Sequence, residues 1–394
     1  MKIIKKIFNV LIIVTAVVFI LLCIDVVTNK LINRSYDELD SLDKEAIAEI
    51  CEIDDLFDSR KGNDDIWDVK YNLSDTGCVI SRKYGMLKGS SYVINSDVSD
   101  SLFAQRIEMP NQYKDIAVYR FSYLSPTMLP FMFTEKNEDW VELNDTMLYS
   151  VKYDTSTVKY NGSGSLEEAY VKNTFAAAVE TPDAPVFVEG EADYKLTEEN
   201  ISLTGLQYRI IDEMLNAASI DELNELIAEY VIVREYQSDK YPEFSNYRET
   251  VELVDGRIQY VFYRISDETK HYITYFNKEK SDSITFYSAY YYLCTGRYNS
   301  DVHDYFDYTD SVYVGAALCQ ILNEKSICAN WQKKLDNSTS EDFVSPYSLL
   351  KDYCGGACGD YSEKSVDEIM EAYNYEEISN MAKALVEGSA DSNE

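Results

Sequence analysis

Two histidines, His271 and His303, are the whole imidazole supply of this 394-residue chain, so chemistry that needs several imidazoles is closed to it. The densest cluster of polar side chains surrounds one of them: DVHDYFDYTD gathers Asp301, His303, Asp304, Asp307 and Asp310, its carboxylates at three-residue steps. Oxygen ligands of this kind bind calcium, but the stretch lacks the alternating carboxylates and central glycine of an EF-hand loop. Carboxylates are also frequent throughout a chain with 69 acidic side chains, and a solvated acidic loop is the expectation. No glycine-rich phosphate loop occurs, and no GxSxG surrounds a serine. Cysteine offers a different chemistry. Seven lie beyond Cys23, at positions 51, 78, 294, 319, 328, 354 and 358; an odd number cannot all pair within one chain, so one is free or joins a second copy. Cys354 and Cys358, in CGGAC, are the closest pair, and the two glycines between them allow the tight fold a disulfide there requires. Structural zinc would need a second close pair of Cys or His, which the sequence does not hold.

The compartment in which those thiols sit is set by Ile7 to Val27, IFNVLIIVTAVVFILLCIDVV. A helix rising about 1.5 Å per residue needs about 20 apolar residues to cross a hydrocarbon core, and this run supplies them. Lys2, Lys5 and Lys6 precede it and acidic residues follow, which places residues 1–6 in the cytoplasm and everything after the 7–27 anchor outside the cell membrane. A cleaved signal peptide would want small residues at its end, where Val26, Val27 and Thr28 stand. A lipoprotein signal would want a small residue before Cys23, where Leu22 stands. The formal net charge is −33, and the first 27 residues hold three Lys against one Asp, so the remainder is more negative still. Such a surface repels phosphate backbones and anionic headgroups. No nucleic acid is expected as a partner; neutral or cationic ligands, an extracytoplasmic protein or a glycan, are. The 34 tyrosines fit either exposed stacking faces or core-edge positions with a wet hydroxyl.

Within residues 28–60, SYDELDSLDKEAIAEICEIDDLF from Ser35 spaces Leu39, Leu42, Ala46, Ile50, Ile53 and Phe57 as one face of an amphipathic helix. That face would dock on the ectodomain or on a second copy. Residues 61–164 read as β-rich, with Cys78 to Ile80, Ser91 to Ile94, Ala117 to Tyr123 and Met147 to Tyr153 as the clearest strands, closing at the NGSG loop of 161–164. Residues 165–386 read as mainly helical: Leu166 to Val179, Thr197 to Ala218, Ile220 to Tyr236, Val312 to Leu322, Tyr347 to Tyr353 and Val366 to Val386. A β-rich insertion is expected at Tyr272 to Phe276 and Ser283 to Tyr292, and a disordered tail at 387–394. The fold class is therefore α+β, a β-rich subdomain and then a mainly helical part, on a single transmembrane helix.

Tyr247 to Ile265, YRETVELVDGRIQYVFYRI, carries one further signal. Asp255-Gly256 between apolar runs fits a hairpin turn, whereas Val254, Ile258, Val261, Phe262 and Ile265 fall at helical intervals, which favours a helix. As a helix, LVDGRIQY resembles the second active-site helix of zincin-like metallopeptidases, in which a motif like NEGFAEY supplies the third zinc ligand as the Glu before Gly. Asp255 stands at that ligand position. Other segments look like those of membrane-anchored zincin-like proteins in the same order: the entry at Asp65, Ile66 and Trp67; the run AVYRFSY ending at Tyr123; LTEENISLTGLQYRIIDEML from Leu196; and VGAALCQILNEKSICANWQKKL from Val314. The resemblance implies a zincin-like frame over most of the ectodomain. It also implies an HExxH helix before Leu196, where the sequence reads VKNTFAAAVETPDAP, with Ala177 and Ala178 near the positions of the His and Glu. An imidazole pair one turn apart holds the metal, and the intervening Glu is the base that activates its water. Without them Asp255 is a vestigial metal-site position. The expectation is a membrane-anchored, non-catalytic ectodomain that binds or interacts at the cell surface, with no catalytic residues, no metal and no cofactor; a hydrolase with an unrecognised site, around Asp301 to Asp310, is the alternative.

Overall fold

The computed structural model describes residues 2–32, 34–59, 66–67, 76–85, 88–128, 131, 136–143, 145–158, 165–179, 196–269, 285–297, 305–324, 327–359 and 364–391. The chain forms two compact units, Met1–Asp65 with Val69–Thr174, and Ile66–Asp68 with Phe175–Glu394. The division falls inside a helix, ten residues beyond the NGSG loop, which itself lies outside the described residues.

Unit 1 begins with α1 (Lys2–Leu31), of which Lys6–Leu31 is long and apolar enough to cross a membrane. It is followed by α2 (Ser41–Ser59) and a sheet of β1 (Cys78–Gly85), β2 (Lys88–Ile94), β3 (Ala104–Arg106), β4 (Val118–Phe121), β5 (Glu138–Leu143) and β6 (Thr146–Lys152). Among the described residues the strand order is β3-β4-β2-β1-β6-β5, antiparallel except where β1 runs parallel to β6. All four strands named from the sequence form. The two that were not are the edge strands, and edges lack the sustained apolar alternation that reveals a strand: β3 is three residues long and β5 alternates Glu138, Trp140 and Glu142 on an exposed face. The apolar face of α2, Ala46, Ile47, Ile50 and Ile53, is buried within the unit. One acidic side chain goes in with it. Asp43 accepts from Ser90 Oγ and Tyr92 OH at 2.7 Å each, accepts from Tyr153 OH at 2.8 Å and pairs with Arg82 at 2.6 Å. A buried carboxylate is tolerable only with such a full set of partners, and these fix the register of α2 on the sheet.

In unit 2 lie α4 (Glu198–Asn216), α5 (Ile220–Lys240), α6 (Pro242–Val251), α7 (Arg257–Thr269), α8 (Phe286–Cys294), α9 (Asp310–Glu324), α10 (Trp331–Asp336), α11 (Pro346–Ala357), α12 (Val366–Ala372) and α13 (Tyr375–Asp391). The helix α3 (Leu166–Ala178) bridges the division between units. A π-turn, Glu252–Gly256, joins α6 to α7, so the stretch from Tyr247 to Ile265 is helical throughout rather than a hairpin. Side-chain oxygens cap α4, α5 and α11 at Thr197, Ser219 and Ser345, satisfying amide donors that have no partner within the helix.

Three expectations need correction. The described part of Ser283 to Tyr292, from Thr285, does not form a strand: from Phe286 onward it is helical, with Phe286, Tyr290 and Leu293 on the buried side. The tyrosines there suggested β propensity, but Asp212 of α4 accepts the N–H groups of Phe286 and Tyr287 at 2.8 and 2.9 Å, and Thr285 caps Ser288. A carboxylate on a helix N-terminus outweighs a propensity difference of this size. Tyr272 to Phe276 lies outside the described residues. Val366 to Val386 is two helices rather than one, because Asn374 adopts φ +52° and ends the first, a conformation asparagine reaches more readily than most side chains. The tail expected at 387–394 is helical as far as Asp391.

Candidate functional site

The π-turn is where the zincin resemblance would put a metal ligand. Asp255 is half-buried in it, and the adjacent Gly256 meets α9 at Gly315: a Cβ on Gly256 would stand 2.7 Å from Gly315 Cα, and one on Gly315 would stand 2.6 Å from the Glu252 carbonyl oxygen. Only two glycines allow helices to approach this closely. Ala177 and Ala178 are exposed at the end of α3 and offer no ligand atom. Among the described residues no three His, Cys, Asp or Glu side chains converge as a metal site would require. His271, Asp301, His303 and Asp304 lie outside the described residues, and the side chain of Asp307 is not described. Among the described residues Asp255 therefore belongs to no set of three side chains that could hold a zincin metal.

Beside the π-turn stands an ion-pair network that sequence reading missed. Arg234 of α5 donates to Glu252 Oε1 at 3.0 Å, and Arg248 of α6 reaches the same oxygen from Nε at 3.2 Å. Arg248 also lies 3.7 Å from Asp310 Oδ1, which accepts the Tyr208 hydroxyl. All four charged side chains are fully buried. The Arg248 guanidinium donates further to Gln207 Oε1 at 3.0 Å, and Gln207 donates to Gln237, which in turn donates to Asn200 and Thr204. Burial pushes the Glu252 carboxyl up to about 7, against the pull of Arg234 and Arg248. Burial likewise raises Asp310, with Arg248 opposing. For Arg234 burial acts to lower the pKa, yet attraction from Glu252 and its neighbours carries it above the usual guanidinium range. Asp310, expected in a solvated acidic loop, is instead the first residue of α9 and part of the core. The signal for the network was present: Tyr230, Arg234 and Gln237 recur at helical spacing on one side of α5, among buried apolar residues.

Rings from three of the segments on which the zincin resemblance was read, Trp67, Tyr260 and Trp331, meet in one aromatic cluster with Phe175 of α3. Trp67 packs edge-on against Phe175 at 5.3 Å, Trp331 at 5.4 Å and Tyr260 at 6.2 Å, and its Nε1 donates to Asp336, which also pairs with Arg257 at 2.8 Å. The helices at Phe175 and Asp255 are thus bridged by packed rings.

An open groove of about 570 Å³ lies between the end of α8 and the start of α13. Tyr291, Thr295, Asn374, Glu376, Glu377 and Met381 line it. Tyr291 and Tyr292 are both exposed, Arg297 sits 5.8 Å over the Tyr291 ring, and Arg209 is 3.6 Å from Glu377. Cys294 at its floor is buried, and burial raises its thiol to about 12, so it is a poor nucleophile there. Cys354 and Cys358 stand as free thiols in neighbouring turns, and the Cys358 N–H donates to the Cys354 carbonyl at 3.0 Å. Gly355 and Gly356 extend the helix between them instead of forming the tight loop expected.

The chain matches no family model, no curated protein and no solved structure.

Proposed function

We propose that this protein is a single-pass membrane protein whose extracytoplasmic part, built on a zincin-like frame, binds a neutral or cationic ligand, an extracytoplasmic protein segment or a glycan, without catalysing peptide hydrolysis. The groove between α8 and α13 carries the reading: it is open, of ligand size, and pairs the Tyr291 ring with the carboxylates of Glu376 and Glu377. The convergence of Trp67, Phe175, Tyr260 and Trp331 supports the frame. Two arginines and two carboxylates committed to one another beside Asp255 support a structural role for the region in which a peptidase would keep an open metal position. The apolar Lys6–Leu31 helix supports the anchor.

The test uses the full chain in lipid nanodiscs, screened against glycan and basic-peptide libraries. Ala384→Trp fills the groove from α13 and should abolish a ligand that Met147→Trp, on β6, leaves bound. Stoichiometric zinc accompanied by peptide hydrolysis, both lost in Asp255→Ala, would overturn the reading.

A further inference from the structure

The closing turns of α1 are built into unit 1 on one side only. Asp25 accepts the Leu124 N–H at 2.9 Å, and buried Asn29 donates to the carbonyls of Phe103 at 2.9 Å and Arg120 at 3.2 Å. Arg120 returns two bonds of 2.7 Å, from Nε to Asn29 Oδ1 and from Nη2 to the Asn29 carbonyl, and Lys30 donates to the Ala104 carbonyl. An arginine from β4 thus closes the helix C-terminus, satisfying carbonyls that have no partner within the helix. On its other side α1 stays apolar and open: Val27 is 55% and Leu31 70% exposed. From Asp25, the first of these hydrogen-bonded contacts, to Leu31 is about 9 Å along the axis at 1.5 Å per residue, so the apolar surface of the span continues past the level at which β3 and β4 meet it. Leu102, 67% exposed, directly precedes Phe103, whose carbonyl takes the Asn29 amide.

We propose that the β3 edge of unit 1 rests in the bilayer interface, with Leu102 in the outer acyl-chain boundary beside Val27 and Leu31. This rests on the membrane-anchor reading and adds to it a fixed docking of the unit against the lipid, since side chains of α1 and β4 clamp the joint. Continuity with the span identifies the occupant: the exposed apolar side of α1 runs from its middle to Leu31, about 6 Å beyond the Val27 at which a run long enough to cross the hydrocarbon core ends, so its last turn emerges in the interfacial layer of the bilayer.

Single tryptophans are added to the full chain in vesicles of phosphatidylcholine brominated along its acyl chains, and the added fluorescence is read against the native protein. Phe19→Trp in the span and Leu102→Trp are both expected to be quenched, Leu102→Trp more strongly by bromines nearer the headgroup, while Met147→Trp, beside the opposite edge of the sheet, is not. Quenching at 19 without quenching at 102 overturns this inference and leaves the anchor standing. No quenching at 19 overturns the anchor itself. A blue-shifted, unquenched Leu102→Trp, together with a Leu102→Cys variant that oxidises to a disulfide-linked dimer, shows that a second copy covers the edge and overturns lipid contact.

Discussion

Arg248→Met isolates the buried network. The guanidinium lies against Glu252 at 3.2 Å, Asp310 at 3.7 Å, Gln207 at 3.0 Å and Gln237 at 3.5 Å, all out of water. Methionine keeps most of the volume, so the cost is electrostatic rather than a cavity. Glu252 retains Arg234, but Asp310 keeps the Tyr208 hydroxyl and has, among the described residues, no opposing charge in contact. Removing one partner of a buried pair costs about 3–5 kcal/mol, and that is the loss expected near pH 8. It should shrink toward pH 5. Both carboxyls already titrate above their ordinary values because of burial, Glu252 at about 7, and deleting the opposing cation raises them further. An acid whose folded pKa exceeds its unfolded one has its stability contribution intact below the unfolded pKa and loses it as pH rises through the folded pKa; for Glu252 in the parent chain that window runs from 4.5 to about 7. Denaturant unfolding of the full chain in detergent provides the assay. A Trp140→Phe background leaves Trp67 and Trp331, both in unit 2, as the reporters. A deficit under about 1 kcal/mol, the scale of an exposed pair, or one equal at pH 5 and pH 8, would refute a network closed to water.

Three further outcomes are expected. Gly315→Ala forces a methyl against the Glu252 carbonyl at 2.6 Å and Gly256 Cα at 2.9 Å, and thermal unfolding should show a loss of about 1–3 kcal/mol; an unchanged melting temperature would mean that α9 slides freely on the π-turn. A membrane-impermeant maleimide should label Cys328, the partly exposed thiol beyond the anchor, in intact cells and spare the buried cysteines, whereas labelling only after lysis would reverse the topology. Deleting residues 1–30 removes Asn29, which takes two hydrogen bonds from the buried Arg120, so limited proteolysis should cut unit 1 faster than in a chain lacking residues 1–21; equal rates would show that these bonds do not hold α1 to unit 1.

The local signals in the sequence survive folding where a single element supplies its own reason. The apolar run of α1, the stripe of α2, the four interior strands and the capped start of α4 at Thr197 each carry their periodicity or cap within a few residues, and the helical spacing through Asp255 holds across the π-turn. Tertiary contacts decided the rest. Phe286–Cys294 is a helix because Asp212, 74 residues earlier, caps it, and no local window contains that carboxylate. Asp310 looked like one acidic residue among many; it is buried because Arg248 and Tyr208 arrive from two other helices to solvate it. The same holds for Asn29 and Arg120, 91 residues apart, whose pairing makes the end of an apolar helix part of unit 1. Periodicity along one element reports which face is buried, but the partner of a buried charge is chosen in space, and spacing along the chain carries no record of it.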